Sequence, residues 1–387
     1  MPVSRFDFVF LFAMRIVITG ADGFIGTNLC VRLRELGHTE VQSIVRTTPE
    51  TVVQSTLASA DCVFHLAGVN RPQDPAEFAA GNANFTALVC QALAAAGRKA
   101  RLVLSSSTQA EQANPYGQSK LAAEAAVRAY AASTGAPVHV FRLPNVFGKW
   151  ARPNYNSAVA TFCHNVANGL PISVNETAPP LNLVYVDDVV QAFVNCLKAP
   201  AHGATAPDAF DFVAPVYSTT VAEVAATVRG FADSRTTLLT GRVGTGLVRA
   251  LYSTYISYLP PAAFAYTVPR HADPRGEFVE MLKTPDSGQF SYFTAHPGVT
   301  RGEHYHHSKT EKFLVLKGMA LFGFRHILTG ETHELVTRGG EAQIVETVPG
   351  WTHNITNIGD DEMIVMVWAN EVFDRQRPDT VAMKVKA

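Results

Sequence analysis

A glycine-rich turn near the start of the chain constrains the fold most strongly. The segment Thr19–Gly26 reads TGADGFIG and directly follows the apolar run Arg15–Thr19. Its first glycine allows a tight turn, its second lets the backbone approach a pyrophosphate, and its third lets a helix pack closely on a strand. The amides at the N-terminus of that helix favour an anion. We therefore predict a dinucleotide site at this turn. The residues predicted to contact the dinucleotide are Gly20, Gly23, Phe24, Ile25 and Gly26.

The first half of the chain alternates short apolar runs with stretches of helical periodicity. Strands are predicted at Arg15–Thr19, Val41–Val45, Cys62–Leu66, Leu102–Ser105, Val138–Leu143 and Leu183–Val186. Helices are predicted at Phe24–Leu36, Phe78–Ala96, Lys120–Ser133, Ala158–Asn168 and Asp188–Leu197. Strand–helix–strand units whose strands are apolar on both faces are typical of a parallel sheet covered by helices. We therefore expect a Rossmann-type, doubly wound α/β domain over residues 14–258.

The character of the sequence changes near residue 255. Prolines cluster at 260–261 and 269–274, and beyond them short apolar runs are separated by turn residues. Strands are predicted at Phe278–Lys283, Gln289–Thr294, Lys312–Leu316, Leu321–Ile327, Glu341–Val345 and Met363–Ala369. This pattern predicts an all-β barrel or jelly roll over residues 259–387.

Composition supports two globular domains and excludes several classes of partner. The chain has 387 residues, of which 47% are hydrophobic and 17% charged, so it has enough apolar surface for two cores. Its 32 Lys+Arg balance 33 Asp+Glu, which gives no reason to expect nucleic acid or an anionic membrane as a partner. The apolar run Phe6–Ala13 is too short to span a bilayer. Five cysteines without a CxxC pair indicate free thiols in the reducing cytoplasm.

Two segments that follow the second and third strands indicate which dinucleotide binds and where its nicotinamide end lies. The second strand ends in Val45-Arg46-Thr47 and carries no acidic residue to bind a ribose 2′-hydroxyl. Arg46 can instead pair with a 2′-phosphate, which favours NADPH over NADH; the alternative is that Arg46 is an ordinary solvated loop residue. After the third strand, His65-Leu66-Ala67-Gly68 supplies backbone where the nicotinamide-side ribose would lie. The residues predicted to contact the cofactor here are Arg46, Leu66, Ala67 and Gly68.

A tyrosine and a lysine follow the fourth strand at helical spacing. Tyr116 and Lys120 are four residues apart, so they share a helix face. An ammonium beside a phenol favours phenolate and is expected to lower the tyrosine pKa. Such a tyrosine can exchange a proton with an alcohol or ketone while a nicotinamide moves hydride. Ser107, with Ser106 and Thr108 as alternatives, is predicted to hold the same oxygen.

The second half contains histidines at the spacing of metal ligands. His304 and His306 alternate in a predicted strand, so both should point to one face. Glu311 and His353 are expected to arrive from neighbouring strands. Three imidazoles and a carboxylate suit Zn²⁺, Ni²⁺, Fe²⁺ or Mn²⁺. We predict a divalent metal site at these four residues, with zinc favoured; a surface histidine patch is the alternative.

The first half resembles the extended short-chain dehydrogenase/reductase family, which acts on nucleotide sugars. The resemblance covers about residues 14–255 and includes RLPNVFG at 142–148 and VYVDD at 184–188. It implies that Tyr116 and Lys120 are catalytic and also contact the cofactor, and it places Asn145 near the sugar nucleotide. Where dehydratases of the family carry Asp-Glu, this chain has Thr108-Gln109, so sugar 4,6-dehydration is not expected.

The second half resembles the cupin family, and the whole chain resembles bifunctional enzymes of bacterial capsule and O-antigen synthesis. The histidine spacing matches both cupin motifs, except that Pro349 and Gly350 are adjacent where the motif has one residue between them. The wider resemblance includes the segments 148–156 and 368–373 and implies that Arg152 contacts substrate. It further implies a homodimer that acts on a UDP-sugar with NADPH. The cupin would invert C3 of a UDP-4-keto-6-deoxy-aminosugar, and the reductase would then reduce C4.

Two other interpretations remain open from the sequence. In one, the reductase is active and the cupin is only a structural or dimerisation module, its metal holding strands together. In the other, the chain is a redox-sensing regulator in which NADP binding controls partner contacts. The intact pair Tyr116 and Lys120 argues against a regulator.

Overall fold

The computed structural model describes residues 14–175, 177–198, 209–376 and 378–386, so the run Phe6–Ala13 lies outside the described residues. The chain forms two compact units. One contains the described residues up to Val228 together with Ala250–Leu259, and the other contains Arg229–Arg249 and the residues from Pro260 onward. The segment Arg229–Arg249 thus packs with the second unit, although it precedes the boundary at residue 259. Within the described residues, no helix combines the length and apolar character needed to cross a bilayer.

A five-stranded parallel sheet forms the centre of the first unit. Its strands lie in the order β2-β1-β3-β4-β5, and each neighbouring pair is parallel. Every residue of the first and third strands is buried, which explains why their sequences are apolar without alternation. This arrangement confirms the predicted α/β class. The strands are β1 (Ile16–Thr19), β2 (Val41–Ile44), β3 (Cys62–His65), β4 (Arg101–Ser107) and β5 (Val138–Leu143).

Helices connect and cover these strands. A π-helical segment at Ala79–Asn84 joins α3 to α4, so the single helix predicted at Phe78–Ala96 is interrupted. The sequence analysis missed α2, because only Val53 and Leu57 of that helix are buried and its apolar stripe is correspondingly short. The helices are α1 (Phe24–Glu35), α2 (Glu50–Ser59), α3 (Ala76–Phe78), α4 (Phe85–Ala96), α5 (Pro115–Thr134), α6 (Ala158–Ala167), α7 (Val186–Cys196), α8 (Val221–Thr237) and α9 (Gly246–Ile256).

A smaller sheet extends the first unit beyond β5. Its three strands lie in the order β6-β7-β8, with a parallel and then an antiparallel pairing. Leu183 and Val184 at its centre are fully buried, consistent with the strand predicted there. The strands are β6 (Asn145–Phe147), β7 (Leu181–Tyr185) and β8 (Tyr217–Thr219).

The second unit is built from two antiparallel sheets, which confirms the predicted all-β domain. One has the strand order β16-β13-β18-β11-β10-β9 and the other β15-β14-β17-β12-β19. Their shared apolar core includes Phe293, Phe313, Phe322, Ile355 and Val365. The strands are β9 (His271–Asp273), β10 (Gly276–Thr284), β11 (Gly288–Ala295), β12 (Thr300–Tyr305), β13 (Glu311–Lys317), β14 (Met319–His326), β15 (Thr332–Arg338), β16 (Ile344–Glu346), β17 (Trp351–Asn357), β18 (Met363–Ala369) and β19 (Val381–Ala382).

In the sequence, β12 and β17 are indicated only by the histidine motif, because they carry polar residues inward, and β9, β15 and β19 are not predicted. β12 and β17 pair antiparallel, with His304 opposite His353. Imidazoles at buried positions hide the apolar alternation by which strands are recognised. The strand predicted at Glu341–Val345 begins later, at Ile344.

The close packing of α1 on β1 yields a stability prediction. A Cβ at Gly26 would lie 2.2 Å from the carbonyl oxygen of Gly20 and 2.8 Å from Cα of Ala21. We expect Gly26→Ala to lower the free energy of unfolding by about 1–3 kcal/mol through forced backbone shifts. Gly230→Ala is the control, because a Cβ there meets no heavy atom within 4 Å and alanine favours the helix. Thermal melts of both variants should separate them; equal melting temperatures would contradict the packing argument.

Candidate functional site

The glycine turn leaves an open anion-binding position at the start of α1. Gly20 has φ +67°, and a Cβ there would lie 2.8 Å from backbone atoms of Ala67, so only glycine fits. The helix begins at Phe24 with Gly23 as its N-cap, and no acidic residue lies in the first turn. The first helical amides therefore have no side-chain cap and can bind an anion. This geometry fits the pyrophosphate role predicted for the turn.

The segment His65–Gly68 lies directly beside the end of β1. The backbone amide of Leu66 donates to the carbonyl of Thr19 at 3.1 Å, and that of Ala67 donates to the Thr19 hydroxyl at 3.2 Å. A Cβ on Gly68 would lie 3.0 Å from Oδ1 of Asn82 and 3.2 Å from Nζ of Lys120, so there is little room for a side chain at this position. The two segments predicted to bind the dinucleotide therefore meet at one edge of the sheet.

A buried histidine fixes this edge. His65 is fully buried, with Nδ1 2.7 Å from the Thr19 hydroxyl and Nε2 2.8 Å from the Thr86 hydroxyl. The Thr86 hydroxyl in turn donates to the carbonyl of Asn82 at 2.6 Å. Burial, with a smaller effect from the charge of Lys120, lowers the pKa of His65 to about 3. The imidazole is therefore neutral, and its two hydrogen bonds link β3 to β1 and to α4.

Arg46, the residue predicted to bind the 2′-phosphate, lies just after β2. Its side chain is 82% exposed, and Nη2 is 3.9 Å from a carboxylate oxygen of Glu77, too long for a hydrogen bond. The exposed guanidinium could turn to a phosphate without breaking a strong contact.

Tyr116, Ser107 and Lys120 come together after β4. Asn114 caps α5 by accepting from the amide of Gly117 at 2.8 Å, so the helix starts early enough to include Tyr116. The Ser107 hydroxyl lies near enough to the Tyr116 phenol to lower the pKa of that phenol. The Lys120 ammonium donates to the carbonyl of Ser105 at 3.1 Å and lies 5.9 Å from the centre of the Tyr116 ring. This is the arrangement expected of a proton donor with a supporting hydroxyl.

The geometry separates the candidate hydroxyls. Ser106 is buried and its hydroxyl donates to the Glu124 carboxylate, which also pairs with Arg142. Ser107 is the one that contacts Tyr116, and its oxygen also accepts from the amide of Gln109 at 3.1 Å.

The expected lowering of the tyrosine pKa is wrong for the cofactor-free protein. Burial raises the pKa of Tyr116, and the neighbouring Ser107 hydroxyl offsets this only in part. Burial also lowers the pKa of Lys120 to about 8, against the opposing charge of Glu124. The ammonium points at the carbonyl of Ser105 rather than at the phenol oxygen, so desolvation dominates both groups.

Residues that the sequence analysis missed hold Tyr116 in place. Asn82, in the π-helical segment, accepts from the amide of Val69 at 2.8 Å and donates to the Ser119 hydroxyl at 2.9 Å. Ser119 donates to the carbonyl of Tyr116 at 2.7 Å, and Phe78 packs edge-on against the tyrosine ring at 5.5 Å. Asn82 lies inside an apolar helical pattern, so the sequence carries no signal for its role.

The two predicted substrate residues follow β5. Asn145 opens β6, is exposed, and its amide nitrogen is 3.4 Å from the carbonyl of Asn182. Arg152 stacks its guanidinium over the Tyr155 ring at 5.2 Å. Both side chains remain accessible to a ligand of this unit.

The four predicted metal ligands converge in the second unit. His304, His306, Glu311 and His353 place one ligand atom each within 4.8 Å of one another. Nε2 of His306 and Nε2 of His353 each lie 3.5 Å from the same Glu311 oxygen. Although β12 ends at Tyr305, His306 still faces the cluster. The cluster is largely buried, so a surface histidine patch is excluded.

The electrostatics of the cluster suit a cation. Burial opposes ionisation of Glu311, but the imidazoles of His306 and His353 and the ammonium of Lys309 hold its pKa well below the usual range. Burial lowers the pKa of His304 to about 4. Nε2 of His306 and both ring nitrogens of His353 are buried without a hydrogen-bond partner, which costs free energy unless a ligand binds them. Three imidazoles and one carboxylate in this arrangement fit a divalent metal such as zinc.

Comparison with known families agrees with both units. The NAD dependent epimerase/dehydratase family matches residues 16–210, and the polysaccharide biosynthesis C-terminal domain matches residues 271–381. The chain belongs to the NAD dependent epimerase/dehydratase family. This membership confirms the resemblance of the first half. The second match agrees with the expected link to capsule synthesis.

Relatives of this family cover nearly the whole chain. A UDP-2-acetamido-2,6-β-L-arabino-hexul-4-ose reductase of Pseudomonas aeruginosa is 55% identical over 96% of this chain and 99% of its own. The crystal structure of the capsular polysaccharide assembling protein CapF from Staphylococcus aureus superposes with a TM-score of 0.87 at 40% identity, covering 96% of this chain and 100% of that chain. CapF with the inhibitor 3-isopropenyl-tropolone has a TM-score of 0.83 at 36% identity, with the same coverage.

The buried Lys120 predicts how the stability of the protein depends on pH. The pKa of Lys120 is about 8 in the folded protein, whereas lysine in an unfolded chain titrates near ~10.4. Between these values the unfolded chain binds more protons, so wild-type stability rises with pH relative to a variant without this group. We expect the melting-temperature difference, Lys120→Met minus wild type, to fall steadily from pH 8 to 10.5. The same difference for Lys99→Met, which removes an exposed lysine, should stay constant; parallel curves for both would contradict the burial effect.

Proposed function

We propose that the chain is a cytoplasmic NADPH-dependent reductase of a UDP-4-keto-6-deoxy-sugar. The observation that carries this proposal is the grouping of Tyr116, Ser107 and the buried Lys120 after β4. The name of the Pseudomonas relative supports a 4-keto nucleotide sugar as substrate. The open N-terminus of α1, with the adjoining segment His65–Gly68, is the matching place for the dinucleotide.

The reduction follows from the positions of these side chains. Ser107 and Tyr116 would both hydrogen-bond the C4 ketone oxygen, which orients the carbonyl and withdraws electrons from it. A bound NADPH supplies the hydride that adds to C4. Tyr116 then donates its phenolic proton to the oxygen that becomes a hydroxyl. Because burial keeps the Tyr116 pKa high, the phenol is protonated at neutral pH and ready to donate.

The proposed second activity is epimerisation at C3 of a UDP-2-acetamido-4-keto-2,6-dideoxyhexose. The C3 proton is acidic because it lies α to the C4 ketone. His304, His306, Glu311 and His353 would hold a divalent metal, and the ligand preference of zinc favours zinc. When bound, that cation supplies positive charge to stabilise an enolate oxygen. Later reduction of the ketone would trap the inverted centre, giving the precursor of UDP-N-acetyl-L-fucosamine. We also propose a homodimer.

A second candidate gives the cupin a structural role. Four protein side chains around one position would close a tetrahedral site, as in structural zinc sites, whereas catalytic sites keep a position open. In that case the chain is a 4-keto-sugar reductase whose second domain only stabilises the fold or the dimer.

Replacement of the proposed proton donor tests the reductase. We expect Tyr116→Phe to slow NADPH-dependent reduction of the UDP-4-keto sugar by roughly 10²–10⁴-fold, because one general acid is lost. NADPH binding, measured by fluorescence titration, should be nearly unchanged. The control is Tyr130→Phe on the same helix, which removes a buried hydrogen bond to Ala100 but no reacting group. Turnover of Tyr116→Phe within tenfold of wild type would remove the proposal.

Replacement of Arg46 tests the choice of cofactor. We expect Arg46→Ala to weaken NADPH binding while NADH binding is unchanged, because only NADPH carries the 2′-phosphate. Arg128→Ala, which removes the same charge from α5, should affect neither. Titrations with both nucleotides give the answer, and an equal loss with both would show that Arg46 does not recognise the phosphate.

A further inference from the structure

The last described residues pack against the strand and the turn that carry His304 and His306. We name the described residues 378–386 the C-terminal strap. Its strand β19 pairs antiparallel with β12, so that Ala382 lies opposite His304. The amide of Met383 donates to the carbonyl of Glu303 at 2.9 Å, and the amide of Val385 donates to the Glu303 carboxylate at 2.8 Å. The strap is therefore fixed to the strand that carries the first histidine.

Asp379 caps the turn that follows the second histidine. Its carboxylate accepts from the backbone amides of His307, Ser308 and Lys309 at 2.7–2.9 Å, and from the Ser308 hydroxyl at 3.0 Å. A carboxylate with this many donors is held rigidly, and it fixes the turn in return. That turn leads from His306 to Lys309, so its shape sets where both side chains point.

The backbone of Asp379 acts directly on a ligand. Its carbonyl oxygen is hydrogen-bonded to Nδ1 of His306. A carbonyl can only accept, so Nδ1 carries a proton, and the imidazole tautomer with this proton presents the Nε2 lone pair to a cation. Nε2 is the atom that faces the Glu311 oxygen. The strap therefore selects the tautomer of His306 that can bind a metal.

The same segment reaches the other two ligands through their neighbours. The hydroxyl of Thr352 donates to the carbonyl of Met383, and Thr352 immediately precedes His353 on β17. Lys309, at the end of the capped turn, is 3.0 Å from the Glu311 oxygen that does not face the histidines. Lys309 thus pairs with one Glu311 oxygen and leaves the oxygen that faces the histidines for a metal.

From these contacts we propose that Asp379 is a positioning residue for the metal site, and that docking of the C-terminal strap sets the metal affinity. The inference rests on the proposed metal site of the second domain. Outer hydrogen-bond partners of metal ligands typically contribute 10–100-fold to affinity. The strap lies more than twenty residues beyond the last ligand in sequence, so it joins the site only through the fold.

The test compares metal affinity in the full-length protein. Metal-free wild type, Asp379→Asn and two controls are titrated with Zn²⁺ against a chromophoric chelator, at a temperature where circular dichroism shows each to be folded. Asparagine keeps the backbone carbonyl but sets an amide group against backbone donors, which should displace the turn. The controls are Asp360→Asn, an exposed carboxylate in the same unit, and Ser308→Ala, which removes one of the four donors.

We expect Asp379→Asn to bind Zn²⁺ 10–100-fold more weakly, and both controls to remain within about threefold of wild type. The ligand-field spectrum of the Co²⁺-substituted protein should change in Asp379→Asn alone. Unchanged affinity with a lowered melting temperature of the metal-free protein would make Asp379 merely structural and overturn the inference. If wild type itself binds no Zn²⁺, or binds it equally well after His304→Ala/Glu311→Ala, the proposed metal site fails as well, so the two failures are distinguishable.

Discussion

Parallel pairing of β1, β3 and β4 is the constraint on which the first unit depends. Because parallel strands end at the same edge of a sheet, the glycine turn, the segment His65–Gly68 and Ser107 all lie along one edge. His65 reinforces the edge by joining the Thr19 and Thr86 hydroxyls within the buried sheet. The chemistry proposed for Tyr116 needs this edge, since donor, supporting hydroxyl and dinucleotide must meet there.

In the second unit, antiparallel pairing brings distant residues together. β12 and β17 place His304 opposite His353, and a register shift between Gly302 and His304 keeps the histidine on the inner face. Glu303, at that shift, has φ +62° and uses its carboxylate to bind Asn354 and the C-terminal strap. Glu303 thus links β12, through its carboxylate, to the residue after His353 and to the strap.

The sequence predicted what local chemistry encodes and missed what only packing creates. Glycine spacing, the interval from Tyr116 to Lys120 and the histidine motif are short-range patterns, and the structure assembles each of them. The pKa of Tyr116 was predicted in the wrong direction, because burial and the target of the Lys120 ammonium depend on tertiary structure. Asn82 and Asp379 carry no local signal, since their partners lie 13 to 73 residues away in the chain.

Solvent exchange tests most directly whether the two units carry separate chemical steps. Full-length variants are incubated in D₂O with the UDP-2-acetamido-4-keto-2,6-dideoxyhexose and no nicotinamide, and loss of the C3 proton is followed by NMR. Tyr116→Phe should exchange at the wild-type rate, because enolisation needs no hydride donor. His304→Ala/Glu311→Ala should lose both metal and exchange. Exchange that depends on Tyr116 and survives loss of the metal would contradict the account and leave the second domain a scaffold.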